Sequence, residues 1–288
     1  MTAGTAGTAE PGPRRADETA PPRWAAIARA VWPIVWPIVV AVAIVVAGWM
    51  AFLWFFAVDP SVGKTPVAVW DYLFSGADAA QARDVVFGAL GKTLQDAALG
   101  YAGGLGGALV LAIVFVLFGP IEQAFLPIVM LLRSVPLVAM TPVILLAFGR
   151  GVAGVAVIGG VVVFFPAMVN IMLGLRSTSR QATELVLAYG GTRMTVIRKV
   201  ALPSALPALF ASARISVPAA LIGALVAEWL ATSGGIGGAI PNAIGGFDYD
   251  QVWADIVVLT GASLLIYTVV AVAESVVLTA AGLRDARH

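Results

Sequence analysis

Two Gly-Lys-Thr triplets, at residues 63–65 and 91–93, have residue types that could bind a nucleotide. In a phosphate-binding loop, backbone amides around glycines hold the phosphates, and the motif needs another glycine five residues before the one that precedes the lysine. Val58 and Val86 occupy those two positions. We therefore expect neither triplet to bind ATP.

The residue types that most enzymes use for nucleophilic or metal chemistry are scarce. The chain has no cysteine, and its one histidine is His288. Thiolate catalysis, disulfides and cysteine-bound metals are excluded, and little imidazole chemistry remains. The sequence also shows neither a Ser-His nor an acidic-pair constellation, which disfavours an intramembrane enzyme. We expect no catalytic residue, no metal and no cofactor.

The composition predicts that the regular elements of the chain are membrane helices. Of 288 residues, 60% are hydrophobic and 11% are charged, whereas about a quarter of the residues in soluble proteins are charged. The sequence therefore predicts an all-α, polytopic integral membrane protein in contact with the lipid bilayer. A net charge of +1 leaves no large basic surface for nucleic acid.

Six apolar runs are long enough to cross the bilayer, which predicts about six transmembrane helices. They occupy residues 31–58, 94–118, 125–148, 152–175, 206–230 and 253–281. We expect a disordered cytoplasmic tail over residues 1–30 and a first helix with an extracytoplasmic loop over 31–93. A core domain over 94–281 would contain a cytoplasmic loop at 176–205, and a second cytoplasmic tail would occupy 282–288.

The distribution of Lys and Arg predicts the orientation, because these residues resist transfer across the membrane. The segments placed inside carry Arg14, Arg15, Arg23, Arg29, Arg176, Arg180, Arg193, Arg198, Lys199, Arg284 and Arg287. The segments placed outside carry Lys64, Arg83, Lys92 and Arg150. Both termini are therefore expected in the cytoplasm.

Prolines and isolated charges within the apolar runs mark candidate pathway or gating residues. Proline frees helical backbone groups, which neighbouring helices or a water-filled path must satisfy, and an intramembrane charge is a functional hypothesis by default. The candidates are Arg133, Pro136, Met140, Pro142 and Glu228. For each charged residue, the alternative is snorkelling to the interface or pairing with another charge. The interrupted helices favour a transporter or channel.

Glycines in the second apolar run predict close helix packing. Gly100 with Gly104, and Gly103 with Gly107, have the small-xxx-small spacing that lets helix backbones approach each other in lipid. This pattern favours packing over a direct role in binding substrate.

The loop at residues 176–205 has the pattern of a docking element. Ser179 or Thr183 could cap a short helix that runs to Ala188, the glycines at 190–191 end it, and a basic amphipathic segment follows to Val200. Such a helix and turn would present a protruding surface to a cytoplasmic partner. A plain basic loop that obeys the positive-inside rule is the alternative.

This loop resembles the EAA motif, E-A-A-x3-G-x9-I-x-L-P, of permease subunits of binding-protein-dependent ABC importers. The motif positions are Glu184, Leu185 and Val186 in place of the two alanines, Gly190, Val200 in place of isoleucine, Leu202 and Pro203. The resemblance extends from about residue 93 to residue 274. Its flanking segments are most similar to the nitrate, sulfonate, taurine and pyrimidine-precursor permeases of that family.

The resemblance implies the permease fold of ABC importers and a subunit without its own catalytic site. It also implies two copies of a cytoplasmic ATP-binding subunit, a second permease copy in a homodimer, and an extracytoplasmic solute-binding protein. The motif positions would form the ATPase-coupling loop. A small anion such as an organosulfonate is the favoured solute, ahead of nitrate, bicarbonate or a pyrimidine precursor. An ion-coupled secondary transporter is the alternative, disfavoured by the lack of an evident inverted repeat.

Overall fold

A computed structural model describes residues 23–280, and every regular element in this part of the chain is helical. The longer helices are α1 (Arg23–Phe55), α3 (Ala79–Leu117), α4 (Gly119–Ser134), α5 (Leu137–Phe148), α6 (Val152–Arg176), α9 (Leu202–Ala227), α10 (Gly235–Gly245) and α11 (Tyr249–Ala280). The shorter ones are α2 (Pro66–Trp70), α7 (Arg180–Ala188) and α8 (Arg193–Val196). Three π-helical turns, Asp71–Ser75, Ile197–Ala201 and Glu228–Thr232, complete the set.

The all-α, polytopic architecture expected from the sequence is confirmed. Five helical segments within the described residues are long and apolar enough to cross a membrane: Trp36–Phe55, Ala79–Leu117, Val152–Arg176, Arg193–Thr232 and Tyr249–Ala280. A sixth span is provided if the bent pair of α4 and α5 is counted as one.

The third apolar run, residues 125–148, which we predicted to be one transmembrane helix interrupted by prolines, is divided between two helices. α4 and α5 meet at an angle of 109°. The chain breaks at Val135, which has extended backbone angles (φ −80°, ψ 125°), because a residue that precedes proline is sterically disfavoured in the helical region. Pro136 follows at once and also lies outside the helices (ψ 129°).

Two other expected boundaries differ from the structure. α1 begins at Arg23, so residues 23–30 of the expected tail are helical; this stretch is rich in alanine, the strongest helix former. The rest of that tail, and the tail at 282–288, lie outside the described residues. α3 begins at Ala79, well before residue 94. Its first turns bury Ala82 and Val86 on one face, and Val86 joins a core cluster with Leu73.

Helices α3, α6 and α9 form the centre of the bundle and approach each other through glycines. A Cβ atom added to Gly100 would lie 2.8 Å from the Cα of Gly159, and one on Gly104 would lie 2.5 Å from the oxygen of Gly160. Gly223 of α9 meets Gly159 as closely, at 2.7 Å. Backbone contact was therefore correctly predicted for the first glycine pair of α3.

The second glycine pair of α3 does not make such a contact. A Cβ atom added to Gly103 would meet nothing within 4 Å, and one on Gly107 would touch the ring of Phe164 at an ordinary 3.6 Å. Gly103 is the neighbour of Gly104 in the sequence, and adjacent residues of an α-helix are rotated by about 100°, which turns Gly103 away from the face that meets α6.

Aromatic and ionic contacts join α1 to the far end of the bundle. Trp49 of α1 stacks on Trp253 of α11 with ring centroids 5.0 Å apart. The Trp253 indole N–H donates to the carbonyl of Val62 at 2.8 Å, and Lys64 pairs with Asp250 at 3.0 Å. The segment that follows α1 is thereby held against the start of α11.

Candidate functional site

The residues of the predicted coupling loop lie at one end of the bundle, where α3 and α6 end and α9 begins. Two contacts tie this end together: Arg176 pairs with Glu122 of α4, and the Arg193 guanidinium donates to the carbonyl of Leu117 at 3.4 Å. The predicted basic segment therefore packs beside the ends of two spanning helices.

Helix α7 projects from this end with no buried residue. Of the two candidate caps, Ser179 is the one used: its hydroxyl oxygen accepts from the backbone N–H of Ala182 at 3.3 Å. Leu185, Leu187 and Tyr189 are 58%, 45% and 86% exposed. An exposed apolar tip of this kind on a basic, polar end is typical of a docking surface.

The turn after α7 explains why two consecutive glycines occur there. The N–H of Gly190 donates to the carbonyl of Leu187 at 3.0 Å, and the N–H of Gly191 donates to that of Val186 at 2.9 Å, which is a Schellman motif. Gly190 has φ +78°, a left-handed conformation that favours glycine. A Cβ atom on Gly191 would lie 2.6 Å from the Val186 side chain. The direction of α7 therefore depends on both glycines.

The first three motif positions differ in their surroundings. Glu184 is exposed, and its carboxylate accepts from Arg180 one turn earlier at 2.8 Å. Leu185 faces solvent, whereas Val186 is half-buried over the glycine turn. The bulkier replacements of the two alanines thus serve separate purposes, one at the surface and one in the turn.

The residues around the later motif positions anchor the loop by packing into the core of the bundle. Thr192 and Thr195 form a reciprocal capping box at the start of α8, and Ile197 and Ala201 are buried in the main core cluster. Val200 and Leu202 are half-buried, and Pro203 is exposed.

Pro203 coincides with a change in helix type and does not end the helix. It has no N–H to donate to the carbonyl four residues earlier, at Lys199. The preceding π turn instead closes by a bond from the N–H of Leu202 to the carbonyl of Ile197. The helix then continues to Ala227, so one continuous helix connects the loop to the opposite end of the bundle.

The pathway candidates on α4 and α5 lie on an outward-facing surface. Arg133, Pro136 and Pro142 are exposed, and Met140 is half-buried. Neighbouring apolar side chains are also uncovered, including Leu131, Val143 and Leu146 at 70%, 66% and 88% exposure. The structure thus brings these four candidates together on the bent pair, whereas Glu228 lies elsewhere.

Glu228 is fully buried at the start of the π turn that follows α9. Its Oε2 atom accepts from the Thr93 hydroxyl at 2.9 Å and from the N–H of Gly237 at 2.8 Å. The Thr93 hydroxyl oxygen accepts from the N–H of Ile236 at 2.9 Å. Ile236 and Gly237 are in the first turn of α10, where backbone N–H groups lack partners within the helix. Two side chains from different helices therefore cap α10.

The glycines around Glu228 let the backbone wrap its carboxylate. Gly235 has φ +60°, and a Cβ atom there would lie 2.2 Å from Oε1 of Glu228. A Cβ on Gly237 would lie 2.4 Å from the carbonyl oxygen of Leu225. Sequence reasoning identified Glu228 but missed Thr93 as its partner. The Ser-Gly-Gly-Ile-Gly-Gly run at residues 233–238 indicates a close backbone approach near Glu228 but does not point to Thr93.

Two further pairs of charges lie within the spans, whereas Asp255 of α11 is buried and forms no ion pair with any of the described residues. Arg214 of α9 binds Glu274 of α11 at 3.0 Å, and Lys92 binds Asp96 one turn further along α3. Pairing removes much of the cost of placing charge in a membrane.

A cavity of about 470 Å³ opens at the end of the bundle that carries α10. Its polar lining comes from Ser233, Asn242, Asp248 and Gln251. This end is acidic. The pKa of nearby Tyr72 is raised to about 12, mainly by burial and also by the carboxylates of Asp248, Asp255 and Asp250. Within residues 23–280, no group of three His, Asp or Glu side chains is placed to hold a metal ion.

The helices define a multi-pass α-helical membrane protein with a projecting loop at one end and a capped short helix at the other. Residues 104–281 match the family described as the inner membrane component of binding-protein-dependent transport systems, and the chain belongs to this family.

Several transport permeases are similar to this chain. The formylaminopyrimidine transport permease protein ThiX of Halalkalibacterium halodurans is 32% identical over 55% of this chain and 63% of its own length. The riboflavin transport system permease protein RibX of Chloroflexus aurantiacus is 31% identical over 54% and 58%. The putative aliphatic sulfonates transport permease protein SsuC of Bacillus subtilis is 31% identical over 60% and 63%. The chain spans less than two thirds of the length of these three relatives.

Proposed function

We propose that this chain is the membrane-spanning permease subunit of an ATP-driven importer and has no catalytic site of its own. The exposed helix α7, held at a fixed angle by its glycine turn and rooted in the core, is the observation that carries the proposal. A cytoplasmic ATPase would receive α7 in a cleft, and motion of that ATPase would reach the spanning helices through α8 and α9. Two ATPase copies would serve a pair of permeases.

The tip of α7 has the chemistry of an anchor in a protein–protein contact. Tyr189 is 86% exposed, and tyrosine contributes a large contact area at low entropic cost and often dominates binding energy. Leu185 and Leu187 flank it with further apolar surface. This surface favours a partner cleft lined with apolar side chains, whereas the Arg180–Glu184 pair would lie at its polar rim.

The uncovered face of α4 and α5 supports a second permease copy as a partner. A pathway between two copies would be lined by the bent pair, where Arg133, Pro136, Met140 and Pro142 lie. Closing and opening would require the pair to change its angle, and the break at Val135 provides a hinge.

A small anion, with an organosulfonate as the leading example, is the proposed solute. Arg133 is an exposed cation on the proposed pathway, and its guanidinium can bind two oxygens of a sulfonate at once. One of the relatives is named for aliphatic sulfonates. The test is uptake by vesicles that contain this chain, its ATPase and its solute-binding protein. Uptake should require ATP, and an imposed ion gradient should not replace it.

The chain alone should neither bind nor hydrolyse ATP. Lys64 is paired with Asp250, and Lys92 lies within a continuous helix and is paired with Asp96. Neither lysine is in a loop that could wrap phosphates. The check is photolabelling of the purified chain with an ATP analogue. Labelling that excess ATP competes away would contradict the expectation.

Both termini and α7 should lie on the cytoplasmic side, with α10 outside, and single cysteines at residues 192 and 242 test the sides of α8 and α10. Thr192 and Asn242 are both exposed in the fold, so the reactivity of cysteines there depends on which side of the membrane they face. In intact cells, an impermeant thiol reagent should label Asn242→Cys and leave Thr192→Cys unlabelled. The chain has no native cysteine, so the background is low. The reverse pattern would overturn the orientation and the coupling assignment with it.

A further inference from the structure

The cavity beside α10 places one carboxylate and several neutral polar groups around an open space. Asp248 precedes α11, and its Oδ1 atom accepts from the N–H of Gln251 at 3.1 Å. This bond fixes the direction of the carboxylate. Among residues 23–280, no lysine or arginine lies within ion-pair distance of Asp248. Its charge is therefore available to something that enters the cavity.

The surface around the cavity carries an excess of free negative charge. Exposed aspartates at this end include Asp59, Asp71, Asp78 and Asp84. Of the basic residues nearby, Lys64 is neutralised by Asp250 and Lys92 by Asp96. Arg83 donates to the carbonyl of Leu73 at 2.8 Å and keeps its charge. A surface of one sign attracts partners of the opposite sign and speeds their encounter.

The wall of the cavity is fixed before any partner arrives. α10 supplies Ala239 and Asn242 to the lining, and the capping bonds from Thr93 and Glu228 hold its first turn. A preformed wall reduces the entropy that binding would otherwise cost.

We propose that this cavity receives a lysine or arginine side chain of the extracytoplasmic solute-binding protein. The inference rests on the proposed function, in which α10 faces outward and α7 inward. The cation would lie against Asp248, and the side chains of Asn242 and Gln251 and the hydroxyl of Ser233 offer oxygen acceptors for its remaining N–H groups.

A side chain of a protein fits this cavity better than a free ion does. A bound divalent cation takes several oxygen ligands with more than one carboxylate among them, and Asp248 is the one carboxylate in the lining. The mouth of the cavity is open, so a long side chain can enter it from a docked surface.

The experiment measures the affinity of the solute-binding protein for the complete transporter in lipid nanodiscs. The probe is the solute-binding protein that stimulates ATP hydrolysis by that transporter. Asp248→Asn should weaken binding about three- to tenfold, because asparagine keeps the cap of α11 but loses the charge. The difference from wild type should shrink as salt is raised, since salt screens the charge pair. Ala239→Phe should also weaken binding by filling the cavity.

Asp84→Asn is the matched control, because Asp84 is an exposed aspartate at the same end but outside the cavity lining. It should change the affinity by less than about twofold, as expected for a distant exposed charge. An unchanged affinity for Asp248→Asn, or an equal loss for Asp84→Asn, would overturn the cavity as the site. If no solute-binding protein binds or stimulates the wild-type transporter, the proposed function itself fails.

Discussion

Gly190→Val should abolish most ATP-driven uptake while the chain still folds, inserts and pairs with its partner copy. Gly190 has φ +78°, and a side chain in a left-handed conformation costs about 1–2 kcal/mol. Valine is worse than most residues because of its branched Cβ. The turn will relax to another conformation and point α7 in a new direction. Each loss of about 1.4 kcal/mol of binding free energy weakens the affinity about tenfold. An α7 that points in the wrong direction should therefore bind the ATPase weakly or fail to stimulate it.

Gly149→Val is a close control for this experiment. Gly149 has φ +79°, and a Cβ atom at either glycine would meet nothing within 4 Å. Gly149 has ψ 173°, in a region that is essentially restricted to glycine. Its substitution therefore introduces at least as much backbone strain as Gly190→Val, at the opposite end of the bundle. Gly190→Asn should be milder, because asparagine tolerates the left-handed region.

The readouts are solute uptake, ATPase binding, and stimulation of ATP hydrolysis by the loaded solute-binding protein. We expect Gly190→Val to lose uptake together with ATPase binding or stimulation, and Gly149→Val to keep ATPase binding. Glu184→Ala should have a smaller effect, since it removes one exposed ion pair with Arg180 without changing the turn. Full uptake and normal stimulation in Gly190→Val would show that the loop is an ordinary connector.

The local structure of the proposed coupling loop could be predicted from the sequence because its signals are local. Ser179 caps α7 from one residue before it, and the glycine turn closes bonds between residues three and five positions apart. Such patterns need no knowledge of distant parts of the chain. The same holds for the break at Val135, where proline is the next residue. We predicted interruption of that run but not its angle, which depends on how α5 packs on α6.

The anchor of α10 could not be predicted in this way because its parts are distant in the sequence. Thr93 and Glu228 are 135 residues apart, and nothing near either residue indicates the other. The short helix α10 is also too weak a pattern to identify alone, since it contains glycines and Pro241. It exists where α3 and α9 supply its caps. Long-range packing therefore decides this part of the site.

Glu228→Ala should destabilise the protein and release the first turn of α10. The substitution leaves the N–H of Gly237 and the Thr93 hydroxyl without their acceptor in a buried site, and each unsatisfied buried group costs about 1–3 kcal/mol. A loss of 1 kcal/mol lowers the melting temperature of a chain of this size by about 2–4 °C. We expect a drop of several degrees in the melting temperature of the purified chain, and faster thiol labelling of a cysteine at Asn242.

Glu184→Ala is the opposite control, because it removes a glutamate whose side chain is 62% exposed and should leave the melting temperature unchanged. Glu228→Gln should lie between the two, since its amide oxygen can still accept from Gly237. Thr93→Val tests the pairing directly: if the two residues act as one cap, the loss in the double variant will be smaller than the sum of the single losses. Additive losses would show that the two residues act independently. A melting temperature and labelling rate in Glu228→Ala equal to wild type would show that the cap contributes nothing. α10 would then owe its position to packing alone, and the cavity wall beside Asp248 would not be fixed in advance of docking.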